Sequence, residues 1–91
     1  MKQIEFIWKM KALGLNVVQS DDAVVHVNLA DDVVLEHQYL NRRDMLNLVI
    51  DMGTDDEIDI VIDNDADKFK QVMDLHYSNS TKEDYIKAFK K

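Results

Sequence analysis

One short pattern occurs twice, ten residues apart: Asp21-Asp22-Ala23-Val24-Val25 and Asp31-Asp32-Val33-Val34-Leu35. Adjacent aspartates suit turns, because their side chains accept hydrogen bonds from nearby backbone N–H groups. Around and between them run β-branched segments at Leu15–Gln19, Val24–Leu29 and Val33–Tyr39. Short strands with turn signals at this spacing predict an antiparallel meander. Alternation in the second strand sends Val25, Val27 and Leu29 to the core and Val24, His26 and Asn28 to the other face.

The meander has helices on either side of it in sequence. Residues 3–13 read as a helix, closed by Lys11-Ala12-Leu13-Gly14-Leu15, in which Gly14 supplies the left-handed C′ position. Asn41 reads as an N-cap with Asp44 three residues on. Met45, Leu46, Val49, Ile50 and Met52 then give an apolar face, so residues 42–52 are predicted to form a helix ending at Gly53. Glu57 to Asp63 alternates, with Ile58, Ile60 and Ile62 on one side and Glu57, Asp59 and Asp63 on the other, which is a strand. A helix over 66–77 follows, with Phe69, Val72, Met73, His76 and Tyr77 as its apolar face. Ser80 and Glu83 form a capping-box pattern before a last helix carrying Tyr85, Ile86 and Phe89. The aromatic residues Trp8, Phe69, Tyr77, Tyr85 and Phe89 are all expected in the core. The expected fold is a single α+β domain over residues 1–91, with about four antiparallel strands under helices in the order α-β-β-β-α-β-α-α.

Charge is segregated along the chain. The net charge of −7 is the sum of +2 over residues 1–11, −12 over 12–67 and +3 over 68–91. Residues 51–67 hold eight acids and no Lys, Arg or His. Side chains two apart on a strand lie about 6.5–7 Å from one another on one face. A regular strand would therefore put Asp55, Glu57, Asp59 and Asp63 in a row interrupted at Val61, with Asp65 and Asp67 extending it. That spacing imitates the phosphates of one nucleic-acid strand, and like charges so placed lower stability. The same alternation also describes an ordinary half-buried strand whose charges keep a sheet edge from aggregating. So acidic a chain is not expected to bind nucleic acid directly, since such domains are usually basic.

Sites for chemistry are thin. Asp63-Asn64-Asp65-Ala66-Asp67 opens like an EF-hand loop, but Lys68 stands where that loop needs Gly and Asp74 where it needs a bidentate Glu. A strand-to-helix cap is the simpler role. His26 and His37 could approach across neighbouring strands, yet no third zinc ligand is spaced to join them, and the chain has no Cys. His76 reads as a packed, hydrogen-bonded side chain. There is no Gly-x-Ser-x-Gly elbow and no glycine-rich phosphate loop. No cofactor, metal site or enzymatic activity is expected. The Asn79-Ser80-Thr81 sequon has no secretion signal in front of it, and no stretch is long enough to cross a bilayer, which reads as a soluble cytoplasmic protein.

With its short N-terminal helix, three-stranded meander, C-terminal helices and clustered acids, the chain resembles the small acidic phage-encoded inhibitors of the type II anti-CRISPR kind. The resemblance covers element order over residues 3–40 and 57–90 and rests on no sequence motif. It implies a DNA-mimicking protein that occupies the nucleic-acid site of a nuclease, where the PAM duplex binds. Asp55, Asp56, Glu57, Asp59, Asp63, Asp65 and Asp67 would be the contacting acids. Two functions are carried forward: a non-catalytic protein binding a basic, nucleic-acid-binding partner, and an adaptor or assembly module, monomeric or homodimeric, associating through apolar surface.

Overall fold

The computed structural model describes residues 1–90. Helix α1 (Gln3–Ala12) leads into strands β1 (Val18–Asp21), β2 (Val24–Ala30), β3 (Val33–Leu40), β4 (Arg43–Ile50) and β5 (Ile58–Ile62), followed by helices α2 (Ala66–Tyr77) and α3 (Lys82–Phe89). The strands form one antiparallel sheet in the order β1-β2-β3-β4-β5. The class is α+β, as expected.

The segment expected to be a helix over 42–52 is instead the fourth strand, so the sheet has five strands and not four. Asn41 is no N-cap. Asn41 and Arg42 have φ of 53° and 63° and link the paired residues Leu40 and Arg43. Positive φ at both central residues is what a type I′ hairpin turn requires, and Asn tolerates it better than most residues. Along β4, Leu46, Leu48 and Ile50 turn inward and are fully buried, while Met45, Asn47 and Val49 turn outward.

The aspartate pairs make the turns they predict. Each of the first two hairpins is joined by two residues, Asp22-Ala23 and Asp31-Asp32. Asp21 Oδ1 accepts from the Ala23 N–H at 2.7 Å, and Asp32 takes a φ of 62°. Helix α1 closes with a Schellman motif: the Leu15 N–H donates to the Met10 carbonyl at 3.0 Å and the Gly14 N–H to that of Lys11 at 2.9 Å. Gly14 has φ of 80°, as expected. Gly53 has the same φ, but in the β4–β5 loop and not at a helix end. The box opening α3 is shifted by one residue from Ser80 and Glu83: the Thr81 N–H donates to Asp84 Oδ2 at 2.9 Å.

The helices lie on one face of the sheet. The core joins Phe6 and Met10 of α1 to Val25, Val27 and Leu29, Val33 and Leu35, Leu46, Leu48 and Ile50, Ile60 and Ile62, and then to Val72, Met73 and Tyr85 of the last two helices. Each large aliphatic side chain buried this way contributes about 1.5–3 kcal/mol. Two aromatic residues depart from expectation, since Trp8 is 66% and Tyr77 61% exposed. In α1 the pairs Ile4/Trp8 and Phe6/Met10 both have helical i,i+4 spacing on different sides, and the sheet covers the second.

A polar knot fastens the start of the chain beneath the sheet. Asn64 Oδ1 accepts from the Met1 amine, and Asn64 Nδ2 donates to the carbonyls of Met1 and Asp44, both at 2.9 Å. Fully buried His37 stacks on Phe6 with ring centroids 5.5 Å apart. Its Nε2 lies 3.2 Å from the Met1 carbonyl and 3.3 Å from Asp44 Oδ1. Both neighbours are acceptors, which assigns a proton to Nε2. Across the molecule, Lys82 Nζ reaches both carboxylate oxygens of Asp51 at 3.1 Å, tying α3 to the β4–β5 loop.

Candidate functional site

With the helices on one side, the other face of the sheet carries no covering element among the described residues. Register fixes its composition. One row across all five strands reads Val18, His26, Glu36, Asn47, Val61, and a neighbouring row reads Asn28, Val34, Val49, Asp59. Val34 and Val49 pair at its centre and shield each other almost fully. His26 Nδ1 is 2.7 Å from Ser20 Oγ, and Gln38 Nε2 donates to Glu36 Oε1.

The predicted acids divide into three groups on this frame. Asp59 is exposed on the outer face of β5, with Glu57 just before the strand and Asp63 just after it. At about 3.3 Å per residue these three span about 20 Å. Asp55 and Asp56 lie in the β4–β5 loop, off the strand, because the chain folds back there: the Asp56 N–H donates to Thr54 Oγ1 at 3.2 Å and the Glu57 N–H to the Thr54 carbonyl at 3.2 Å. Glu57 in turn accepts from the Gly53 N–H at 2.9 Å. Asp65 is the N-cap of α2, accepting from the Lys68 N–H at 2.8 Å, and Asp67 follows in the first turn. The predicted row from Asp55 to Asp67, interrupted at Val61, is therefore not formed as a whole; in its middle Glu57 and Asp59 interact.

The middle gains a member that strand spacing within β5 could not supply. Glu36 of β3 faces the same side, and its charge is felt at Asp59. The Asp59 carboxyl is held above its ordinary pKa, first by partial burial, then by the charge and hydrogen bonding of Glu57, and also by Glu36. Alternation about inward Leu35 and His37 was the sequence signal for Glu36. Only the pairing order brings it near β5.

The histidines do not meet. His37 points inward and His26 outward on adjacent strands, since Val25 and not His26 is the partner of His37. His76 packs as expected, with Nδ1 2.9 Å from the Leu29 carbonyl. Among the described residues, no group of three or more His, Asp or Glu side chains is placed to hold a metal ion. No helix among them is long and apolar enough to cross a membrane.

A second surface is apolar. Ile4 and Trp8 stand exposed on α1, and Leu13 and Tyr77 border a groove between the end of α1 and α2, floored by Ala12, Phe69 and Met73. Lys9 Nζ lies 5.3 Å above the Phe69 ring. Comparison with protein-family models, curated proteins and solved structures finds no match to this chain.

Proposed function

We propose that this chain is a non-catalytic interaction protein that binds a basic partner through the acidic side of its uncovered sheet face. The observation that carries the reading is geometric: Asp59 is exposed on the uncovered face at the sheet edge, with Glu57 beside it and Glu36 facing the same side two strands away. Glu57, Asp59 and Asp63 form the centre of the contact, and Asp55, Asp56, Asp65 and Asp67 extend its field from the two ends of β5. A nucleic-acid-binding protein is the partner class that phosphate-like spacing fits, and blocking the nucleic-acid site of a nuclease, as in the anti-CRISPR inhibitors, is the mode of action proposed. A cytoplasmic setting belongs to the same reading.

The test uses the partner recovered from source cells by affinity capture. Glu57→Gln, Asp59→Asn and Asp63→Asn together should lower the association rate about tenfold or more at low salt. Thermal stability should not fall, because these side chains are exposed and lie outside the core. DNA should compete for the partner, and the chain itself should not bind DNA. Unchanged affinity in the triple variant without competition by DNA would reject the reading. Exposed Trp8 and Tyr77 favour the second function, apolar assembly. Trp8→Ala with Tyr77→Ala should abolish an assembly contact while leaving acid-dependent binding in place.

A further inference from the structure

We infer that the free edge of β5 is a strand-addition site for an extended partner segment in which basic and apolar residues alternate. The inference rests on the acidic-face reading and specifies how the partner is held. β5 is the outermost strand and pairs with β4 alone, in unbroken register from Leu46↔Ile62 to Ile50↔Ile58. Among the described residues, no backbone hydrogen bond links 58–62 to any other element. The opposite edge, β1, is only four residues long and its register slips between Gln19 and Asp21. Such an irregularity blunts an edge. β5 keeps a regular register, and among the described residues the end of α3 stands beside its edge without hydrogen-bonding to its backbone.

A groove runs along this edge. The whole of β5 and Asp63 line it on the strand side, and Ala88 and Phe89 of α3, with Lys68 and Lys90, on the other. An added strand sends alternate side chains to opposite faces of the sheet. On the outer face they meet Asp59 and Val61, with Glu57 and Asp63 at the two ends of the strand, which calls for Lys or Arg beside the acids. On the inner side they meet Phe89 and the isoleucine edge, which calls for apolar groups, and the two lysines disfavour basic residues there. A second copy of β5 is the wrong occupant. Antiparallel pairing on a shared face would set acid against acid, and like charges placed opposite destabilise a sheet.

The experiment titrates the full chain, labelled with ¹⁵N, with a peptide of about nine residues alternating Lys and Val, at low salt. Two comparison peptides keep the composition: one has its order scrambled, and the other is N-methylated at alternate backbone nitrogens, made in both possible sets. Strand addition predicts shift changes centred on residues 58–62 and Phe89, together with slowed amide exchange in β5. It also predicts at least about tenfold weaker binding for the scrambled peptide and for one of the methylated sets, since main-chain hydrogen bonds give such a site its affinity. The triple variant should lose a similar factor. Equal binding by all the peptides would overturn strand addition while leaving the acidic-face reading intact. Absence of binding by every peptide would also overturn it, and the competition with DNA would then judge the acidic face on its own.

Discussion

A hydroxyl without a partner lies in the helix layer: Tyr85 is fully buried and its oxygen accepts and donates nothing among the described residues. Burial pushes its pKa up to about 12. Since the unfolded tyrosine ionises near 10, the folded state binds more protons between pH 10 and 12, and stability falls across that window by up to about 2–3 kcal/mol. Tyr85→Phe should remove this loss and gain about 1 kcal/mol at neutral pH, read from urea titrations at pH 7 and 11. Asp59 shows the same sign for a carboxyl. Its raised pKa favours the fold only in acid, and that advantage disappears as pH rises through the folded value. Asp59→Asn should therefore melt higher than wild type at pH 7, with the difference closing below about pH 4. A difference that persists in acid would mean the gain is not electrostatic. Asp59 was legible in the sequence as an outward acid, whereas the neighbours that perturb it were only half legible. Glu57 is two residues away, but Glu36 arrives through the order of the strands.

At the scale of elements, β4 explains what the sequence concealed. Leu46, Asn47, Leu48, Val49 and Ile50 satisfy helical and alternating spacing alike, because a strand flanked on both sides buries Val49 on the uncovered face as well as the inward residues. The alternation of Ile58, Ile60 and Ile62 was unambiguous because an edge strand leaves Asp59 and Val61 in solvent. Helix α1 was readable in its boundaries and not in its face, since it is apolar on opposite sides and periodicity alone cannot choose between them. The turns carry the sharpest mutational expectations. Arg42 has φ of 63°, which a residue with a Cβ adopts at a cost, so Arg42→Gly should stabilise the β3–β4 hairpin by about 1 kcal/mol. Gly14→Ala and Gly53→Ala should each lower stability by about 1 kcal/mol. A Cβ would meet no more distant part of the chain within 4 Å at either position, so backbone conformation and not crowding sets the penalty. Thermal melts of the three variants test the assignment, and a neutral Arg42→Gly would show that the turn relaxes.

For the molecule as a whole, a net charge of −7 makes the native state repel itself, most strongly where β5 and its loop concentrate acids. Raising NaCl from about 20 to 300 mM shortens the screening length several-fold and should raise the melting temperature at pH 7. The rise should be smaller in the variant lacking the charges of Glu57, Asp59 and Asp63, and smaller again for the wild type near pH 4. An equal rise in all three would point to a general salt effect on apolar burial instead. The order of the sheet has a kinetic consequence. Every strand pairs with its neighbour in the chain, and three of the four hairpins close through two residues. No strand waits for a distant partner, and hairpins of this kind form within about 1–10 μs. The contacts that join remote parts of the chain, above all Asn64 to Met1 across 63 positions and His76 to Leu29 across 47, are the ones expected to close last. The sheet can assemble as a series of local zippers, leaving the docking of the flanking helices to set the refolding rate.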